Sequence, residues 1–266
     1  MKVWLDGRWG STGSWPLDDR GLLFGDQVFE TLRVDSGVVR FADLHRARVS
    51  TALDTMGLSS ALRDFDRIVR EVPARPARAS LRVTITAGAG RVLSVRAGRP
   101  RVFALLRPRL EAPQSLRVTV TSGRRGSLIP SHLKHASYLG EVLARRAATP
   151  DFDDVIVRNV AGRPCELAAA NLFAVRHGAL LTPPLSEGVL PGITRALVIA
   201  LARKHHIEVR QQAFSMRTLA SADELFATST LLGVCAIVRV GTRALAHGQV
   251  TRTLHDAYQA LPVRQP

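Results

Sequence analysis

The chain has 266 residues, 46% hydrophobic and 22% charged, a composition that supports a folded core and excludes extended disorder. Its 37 basic against 22 acidic residues give a formal charge of +15, yet the arginines are scattered and aromatics make up only 5%, which argues against a nucleic-acid-binding module and leaves small anionic substrates compatible. No run approaches the ~18 apolar residues of a membrane helix, and Cys165 and Cys235 are too few for a disulfide scaffold or a thiolate metal cluster.

Taken in order, residues 3–5 and 8–9 around Asp6-Gly7 predict a short hairpin, since Asp-Gly suits a two-residue primed turn. Residues 28–34 alternate, then Asp35-Ser36-Gly37 and residues 38–41 predict a second hairpin. Asp43 is placed to cap a helix reaching Met56, with Leu44, Ala47 and Leu53 on its apolar side. A second helix is expected over 61–72, and strands over 80–86 and 101–106. The two prolines of residues 107–113 read as a linker.

Beyond it come an expected strand at 116–121, a Gly-rich loop, a helix over 137–148 and strands over 152–157 and 171–175. A helix over 193–205 follows, then strands at 225–228 and 236–240 and a closing helix over 251–261. Strands arrive in hairpins instead of alternating strictly with helices, so the expected class is α+β with two domains. The division is 1–107 for a smaller N-terminal α/β domain, 108–115 for the linker and 116–266 for a larger C-terminal domain. The opening MKVWLDGRWG has no apolar stretch of signal-peptide length, so a cytoplasmic protein is expected.

Several motifs fail. Gly88-Ala89-Gly90 lacks the third glycine and helix of a dinucleotide fingerprint. His132 and His135 have no neighbouring carboxylate or third imidazole, so no metal is expected. Ser137 and Ser229 lack the turn of a nucleophile elbow.

Four features converge. Lysine occurs only as Lys2, Lys134 and Lys204; Lys134 alone stands between a Gly/Pro-containing loop and a helix, where an amine can form a Schiff base. Leu190-Pro191-Gly192-Ile193-Thr194-Arg195 brings a glycine and a hydroxyl to a helix start, a natural anion site. Thr228-Ser229-Thr230 follows a hydrophobic strand. Glu166 adjoins an apolar run and needs a partner, such as a protonated ring nitrogen. An amine, a phosphate cradle and a pyridinium partner are what pyridoxal phosphate requires.

The same residues carry a resemblance. Residues 19–33 (DRGLLFGDQVFETLR), His45-Arg46-Ala47-Arg48, Leu133-Lys134 with Tyr138-Leu139, Glu166 with Asn171-Leu172-Phe173, residues 190–195 and Ala222-Asp223-Glu224-Leu225-Phe226 stand in the order seen in the class IV aminotransferase family. These are the fold-type IV pyridoxal-phosphate enzymes, similar to the D-amino acid and branched-chain aminotransferases, which hold the cofactor between two domains and are usually homodimers. The resemblance implies that Lys134 bonds the cofactor and shuttles protons, and that Glu166 keeps the pyridine nitrogen protonated. It further implies that Arg48, Ile193, Thr194 and Thr230 hold the phosphate, with Tyr138 near the ring hydroxyl. Gln27, Phe29, Thr31 and Arg33 would line the substrate side. Thr31 and the segment from Lys134 to Arg146 most resemble 4-amino-4-deoxychorismate lyases, which release pyruvate and 4-aminobenzoate. Gln27, Ala168, Ala170 and the absence of arginine at Ala87 depart from that pattern and keep an aminotransferase as the alternative.

Overall fold

The computed structural model describes residues 1–91, 98–124, 126, 128–213 and 215–262. Asp6 and Gly7 adopt φ of 50° and 80°, the two left-handed positions of a primed turn, and join β1 (Lys2–Leu5) to β2 (Arg8–Gly10). The five-residue α1 (Arg20–Phe24) is capped by the Asp19 carboxylate, which accepts from the N–H groups of Gly21 and Leu22. The second hairpin is β3 (Gln27–Asp35) and β4 (Val38–Val39).

The next helix, α2 (Ala42–Met56), differs at its start from the expectation. Phe41 holds the N-cap position at φ 54° with no side-chain cap, and Asp43 falls inside the first turn, where a carboxylate still favours the positive helix end. The expected helix over 61–72 divides into a 3₁₀ turn (Ser59–Ala61) and α3 (Leu62–Arg70). With β5 (Arg78–Thr86) and β6 (Arg101–Pro108), these strands form a six-stranded antiparallel sheet in the order β2-β1-β6-β5-β3-β4. Leu32, Val34, Leu81, Val83, Ile85 and Leu106 alternate onto one face, where Val49, Leu53, Phe65 and Ile68 of α2 and α3 complete the core.

The second sheet is mixed. It contains β7 (Ser115–Arg124), β8 (Asp154–Arg158), β9 (Pro164–Leu167), β10 (Asn171–Arg176), β11 (Ala179–Thr182), β12 (Val209–Gln211), β13 (Glu224–Ser229), β14 (Gly233–Val240) and β15 (Arg243–Ala244). Six of them follow the order β10-β13-β14-β7-β8-β9, and β9 returns to β10 through the pair Glu166 and Asn171, closing a ring. Phe173 and Phe226 face each other across β10 and β13 with stacked rings 4.8 Å apart, a pairing that helps fix the register. Around these strands are α4 (Leu139–Ala148), α5 (Ile193–Lys204), α6 (Met216–Ala220) and α7 (Gln249–Gln259). The short strands β9, β11 and β12 were not expected from the sequence. The Gly-rich loop expected after residue 121 begins as a continuation of β7, and its residues 125 and 127 lie outside the described residues.

The chain divides into two compact units. One holds Met1–Leu110 and Leu133–Ser137, the other Glu111–His132 and Tyr138–Leu261. A C-terminal domain unbroken from residue 116 is therefore not what forms. The Phe29 N–H donates to the Lys134 carbonyl at 2.9 Å, and Val28 bridges His135, so the lysine segment joins the first sheet. Among the described residues no helix is long and apolar enough to cross a membrane. Among them, too, no group of three or more His, Cys, Asp or Glu is placed to hold a metal ion.

Candidate cofactor site

The period of two along β3 sends neighbouring residues to opposite faces. Val28, Glu30, Leu32 and Val34 turn toward α2, making Glu30 the one acid in an apolar row. Along α2, His45, Arg48, Val49, Ala52 and Leu53 share a face at helical spacing, so two bases stand at one end of an apolar stripe. They meet Glu30. Arg48 donates from Nε to Oε1 at 2.7 Å and from Nη2 to Oε2 at 2.6 Å, while His45 Nδ1 lies 2.8 Å from Oε2. Glu30 is 1% exposed. Burial pushes its carboxyl up, but the Arg48 charge and the hydrogen bonds of His45 and Arg48 outweigh that and hold it at about 2. The arginine expected at the phosphate is thus fixed edge-on by a buried carboxylate.

Gln27, Phe29, Thr31 and Arg33 occupy the other face. Lys134 Nζ sits 4.6 Å from the centroid of the Phe29 ring, and the Arg82 guanidinium lies 3.5 Å from the same centroid. Gln27 donates to the Gly21 carbonyl at 3.1 Å, and Arg33 bonds Asp35 at 2.8 Å. Across the ladder, Gln27, Phe29 and Thr31 pair with Thr86, Thr84 and Arg82. This face is therefore rich in hydroxyls, an amide and guanidinium groups around a single ring.

In the second unit, Glu166 closes the strand ring and is 4% exposed. Its Oε2 accepts from Asn171 Nδ2 at 3.1 Å and from the Leu190 N–H at 3.0 Å. Asn171 also donates to the Leu190 carbonyl at 2.9 Å, tying Glu166 to the segment that leads into α5. The N-cap of α5 is Gly192, with no side-chain cap, so the first-turn N–H groups at Ile193 and Thr194 retain their donor capacity. A Cβ on Gly192 would run into Asn171 Oδ1, which is why glycine stands there. Ile193 and Thr194 are buried; Thr230 is half-buried in the turn between β13 and β14. Tyr138 is the N-cap residue of α4. Arg195 is buried in the first turn of α5, where desolvation lowers its pKa against the favourable charge of Glu166.

Of the residues expected at the cofactor, Lys134 and Arg48 belong to the first unit, and Tyr138, Glu166, Ile193, Thr194 and Thr230 to the second. Glu30, His45, Asn171 and Gly192 had no assigned role. Glu30 carried a legible signal, as the only acid on the inward positions of β3.

The family model for amino-transferase class IV matches residues 27–240. The chain belongs to this family. A Methanocaldococcus jannaschii protein bearing a branched-chain-amino-acid aminotransferase name is 30% identical over 97% of this chain and 96% of its own length. Among solved structures, an aminotransferase from Brucella abortus bound to pyridoxal phosphate aligns with a TM-score of 0.87 and 28% identity, over 97% of each chain. A 4-amino-4-deoxychorismate lyase from Pseudomonas aeruginosa aligns with a TM-score of 0.85 and 28% identity, over 96% of this chain and 97% of that one. The fold is therefore that of the fold-type IV enzymes, and pyridoxal phosphate is the family's cofactor.

The residues present fit that cofactor. The uncapped start of α5 and the Thr194 hydroxyl offer donors to a phosphate. Glu166 offers a buried carboxylate to a ring nitrogen. The Thr228 hydroxyl, paired across the ladder with Asn171, is buried without a hydrogen-bond partner among the described residues, a polar group of the kind a bound polar ligand satisfies.

Proposed function

We propose that this chain is a pyridoxal-phosphate-dependent lyase that releases pyruvate from 4-amino-4-deoxychorismate to leave 4-aminobenzoate. The observation that carries the reading is the polar, cationic face of the first sheet. Gln27, Thr31, Arg82, Thr84 and Thr86 flank Phe29 there, with Arg33 further along the same face of β3. A substrate with two carboxylates matches such a face. A branched aliphatic side chain offers such a face no complementary charge.

In this reading Lys134 Nζ holds the cofactor covalently and moves the proton of the amine-bearing carbon. Arg48, the Ile193 and Thr194 N–H groups and the Thr194 and Thr230 hydroxyls grip the phosphate. Glu166 keeps a proton on the ring nitrogen, held in line by Asn171 and the Leu190 N–H, and Tyr138 stands by the ring hydroxyl. When bound, pyridoxal phosphate supplies an electron sink for that carbon. Arg33 and Gln27 orient the substrate carboxylates. A positioned base of this kind contributes typically ~10²–10⁴ in rate. The working form is a cytoplasmic homodimer, as the family resemblance implies.

A second reading, an aminotransferase, is favoured by the names of the sequence relatives. One experiment separates the two. The protein, supplied with pyridoxal phosphate, is given aminodeoxychorismate alone, and separately D-alanine, L-glutamate or L-leucine without any 2-oxo acid. Equimolar 4-aminobenzoate and pyruvate, lost in Lys134→Ala, supports the lyase. Conversion of the cofactor to its amine form by one donor, with no 4-aminobenzoate formed, makes the chain a transaminase. Observing neither outcome would overturn both readings.

A further inference from the structure

The far end of the same sheet face concentrates positive charge around one carboxylate. In register, Asp35 of β3 pairs with Arg78 of β5, and the Arg109 N–H just beyond β6 donates to the Arg78 carbonyl at 2.9 Å. On the other side, the Arg40 N–H just beyond β4 donates to the Arg33 carbonyl at 2.9 Å. Arg33 and Arg109 thus reach Asp35, and the charges of Arg40 and Arg78 act on Arg109 beside them. That carboxylate is already engaged, since Arg33 Nε bonds Oδ2 at 2.8 Å, while Arg109 Nη2 reaches Oδ1 only at 3.5 Å.

Arg109 is the informative member. Its side chain is 6% exposed, and neither Nε nor Nη2 makes a hydrogen bond among the described residues. Burial and the charges of Arg33, Arg78 and Arg40 lower its pKa, with Asp35 opposing. A buried guanidinium with unmet donors amid like charges is an expensive arrangement, and a bound oxyanion would relieve both the repulsion and the missing acceptors. An arginine-rich chain scatters such groups over its surface, but surface scatter does not bury one.

We propose that Arg40, Arg78 and Arg109 form a second anion site, for a carboxylate or phosphate group, at the Asp35 end of the first sheet. It differs from the Phe29 and Lys134 end. Six residue steps of extended strand lead from Phe29 to Asp35, roughly 20 Å at the usual rise. The site therefore takes an anion other than the reacting group. Asp35, partly exposed and held by Arg33, forms its solvent edge. Asp35 competes with the ligand, which sets opposite signs for two substitutions.

The test is calorimetric titration of the protein saturated with pyridoxal phosphate, in phosphate-free buffer, with inorganic phosphate, with succinate, and with sodium chloride at matched ionic strength. Saturable binding of phosphate or succinate at one site per chain, absent for chloride, is expected; whichever binds tighter names the oxyanion class. Arg109→Gln should weaken that binding about tenfold or more, the scale of a lost charge-assisted contact. Asp35→Asn should tighten it severalfold by removing the internal competitor. Binding unchanged in folded Arg109→Gln, weaker binding in Asp35→Asn, or no saturable binding of either anion would overturn the proposal.

Discussion

The two regions proposed to hold the phosphate would do so by different physics. In the first unit the donor is a side chain, Arg48, whose charge is buried and met by the equally buried Glu30. In the second unit the donors are main-chain N–H groups at the start of α5, which need no counter-ion because they carry only partial charge. The first arrangement depends on three ionisable groups remaining together. The second depends on space, namely a glycine where any side chain would displace Asn171. Damage to the first should therefore appear as lost stability, and damage to the second as lost cofactor affinity.

The largest effect follows from Glu30→Ala. It leaves Arg48 and His45 without their buried acceptor, and breaking such a pair costs about 3–5 kcal/mol. Urea unfolding should show it, and a loss below about 1 kcal/mol would remove Glu30 from its structural role.

Gly192→Ala comes next, with the opposite signature. Its Cβ forces Asn171 away from Glu166 and disturbs the first turn of α5, so affinity for pyridoxal phosphate should fall about tenfold or more. Unfolding stability should change much less than in Glu30→Ala. Equal effects of both substitutions on stability would erase the distinction.

Acid sharpens the contrast further. The Glu30 carboxyl, held at about 2 against 4.5 for an ordinary glutamate, is depressed in the folded state. Its contribution is complete above pH 4.5 and is lost as pH falls from there through about 2. Wild-type stability should therefore drop more steeply over that interval than stability of Glu30→Gln, as read from unfolding at stepped pH. The smallest effect is Thr194→Val, which removes one hydroxyl donor and should weaken cofactor binding by about fivefold, the scale of one hydrogen bond.

Much of this was legible in the sequence. The apolar spacing of α2 and α5 and the alternation of β3 predicted those elements, and Lys134 stood out because lysine is so rare here. The short strands β9, β11 and β12 escaped because they contribute three or four residues each, too few for a period to declare itself. The start of α2 was misplaced by one capping rule. Asp43 satisfies it by composition, but the chain turns at Phe41 through a left-handed conformation. Glu30 and His45 were visible as residues and silent as partners, because their meeting requires α2 to lie across β3. The placement of Lys134 on the first sheet was likewise invisible, since it rests on main-chain pairing of Lys134 with Phe29 and of His135 with Val28.

The assignment of Lys134 is the claim on which the chemistry stands, and the scarcity of lysine makes it directly testable. The protein, incubated with pyridoxal phosphate, would be reduced with borohydride, digested and mapped by mass spectrometry. The account predicts one pyridoxyl group per chain, on the peptide containing Lys134. A label on Lys2 or Lys204 instead, or no label at all, would contradict it.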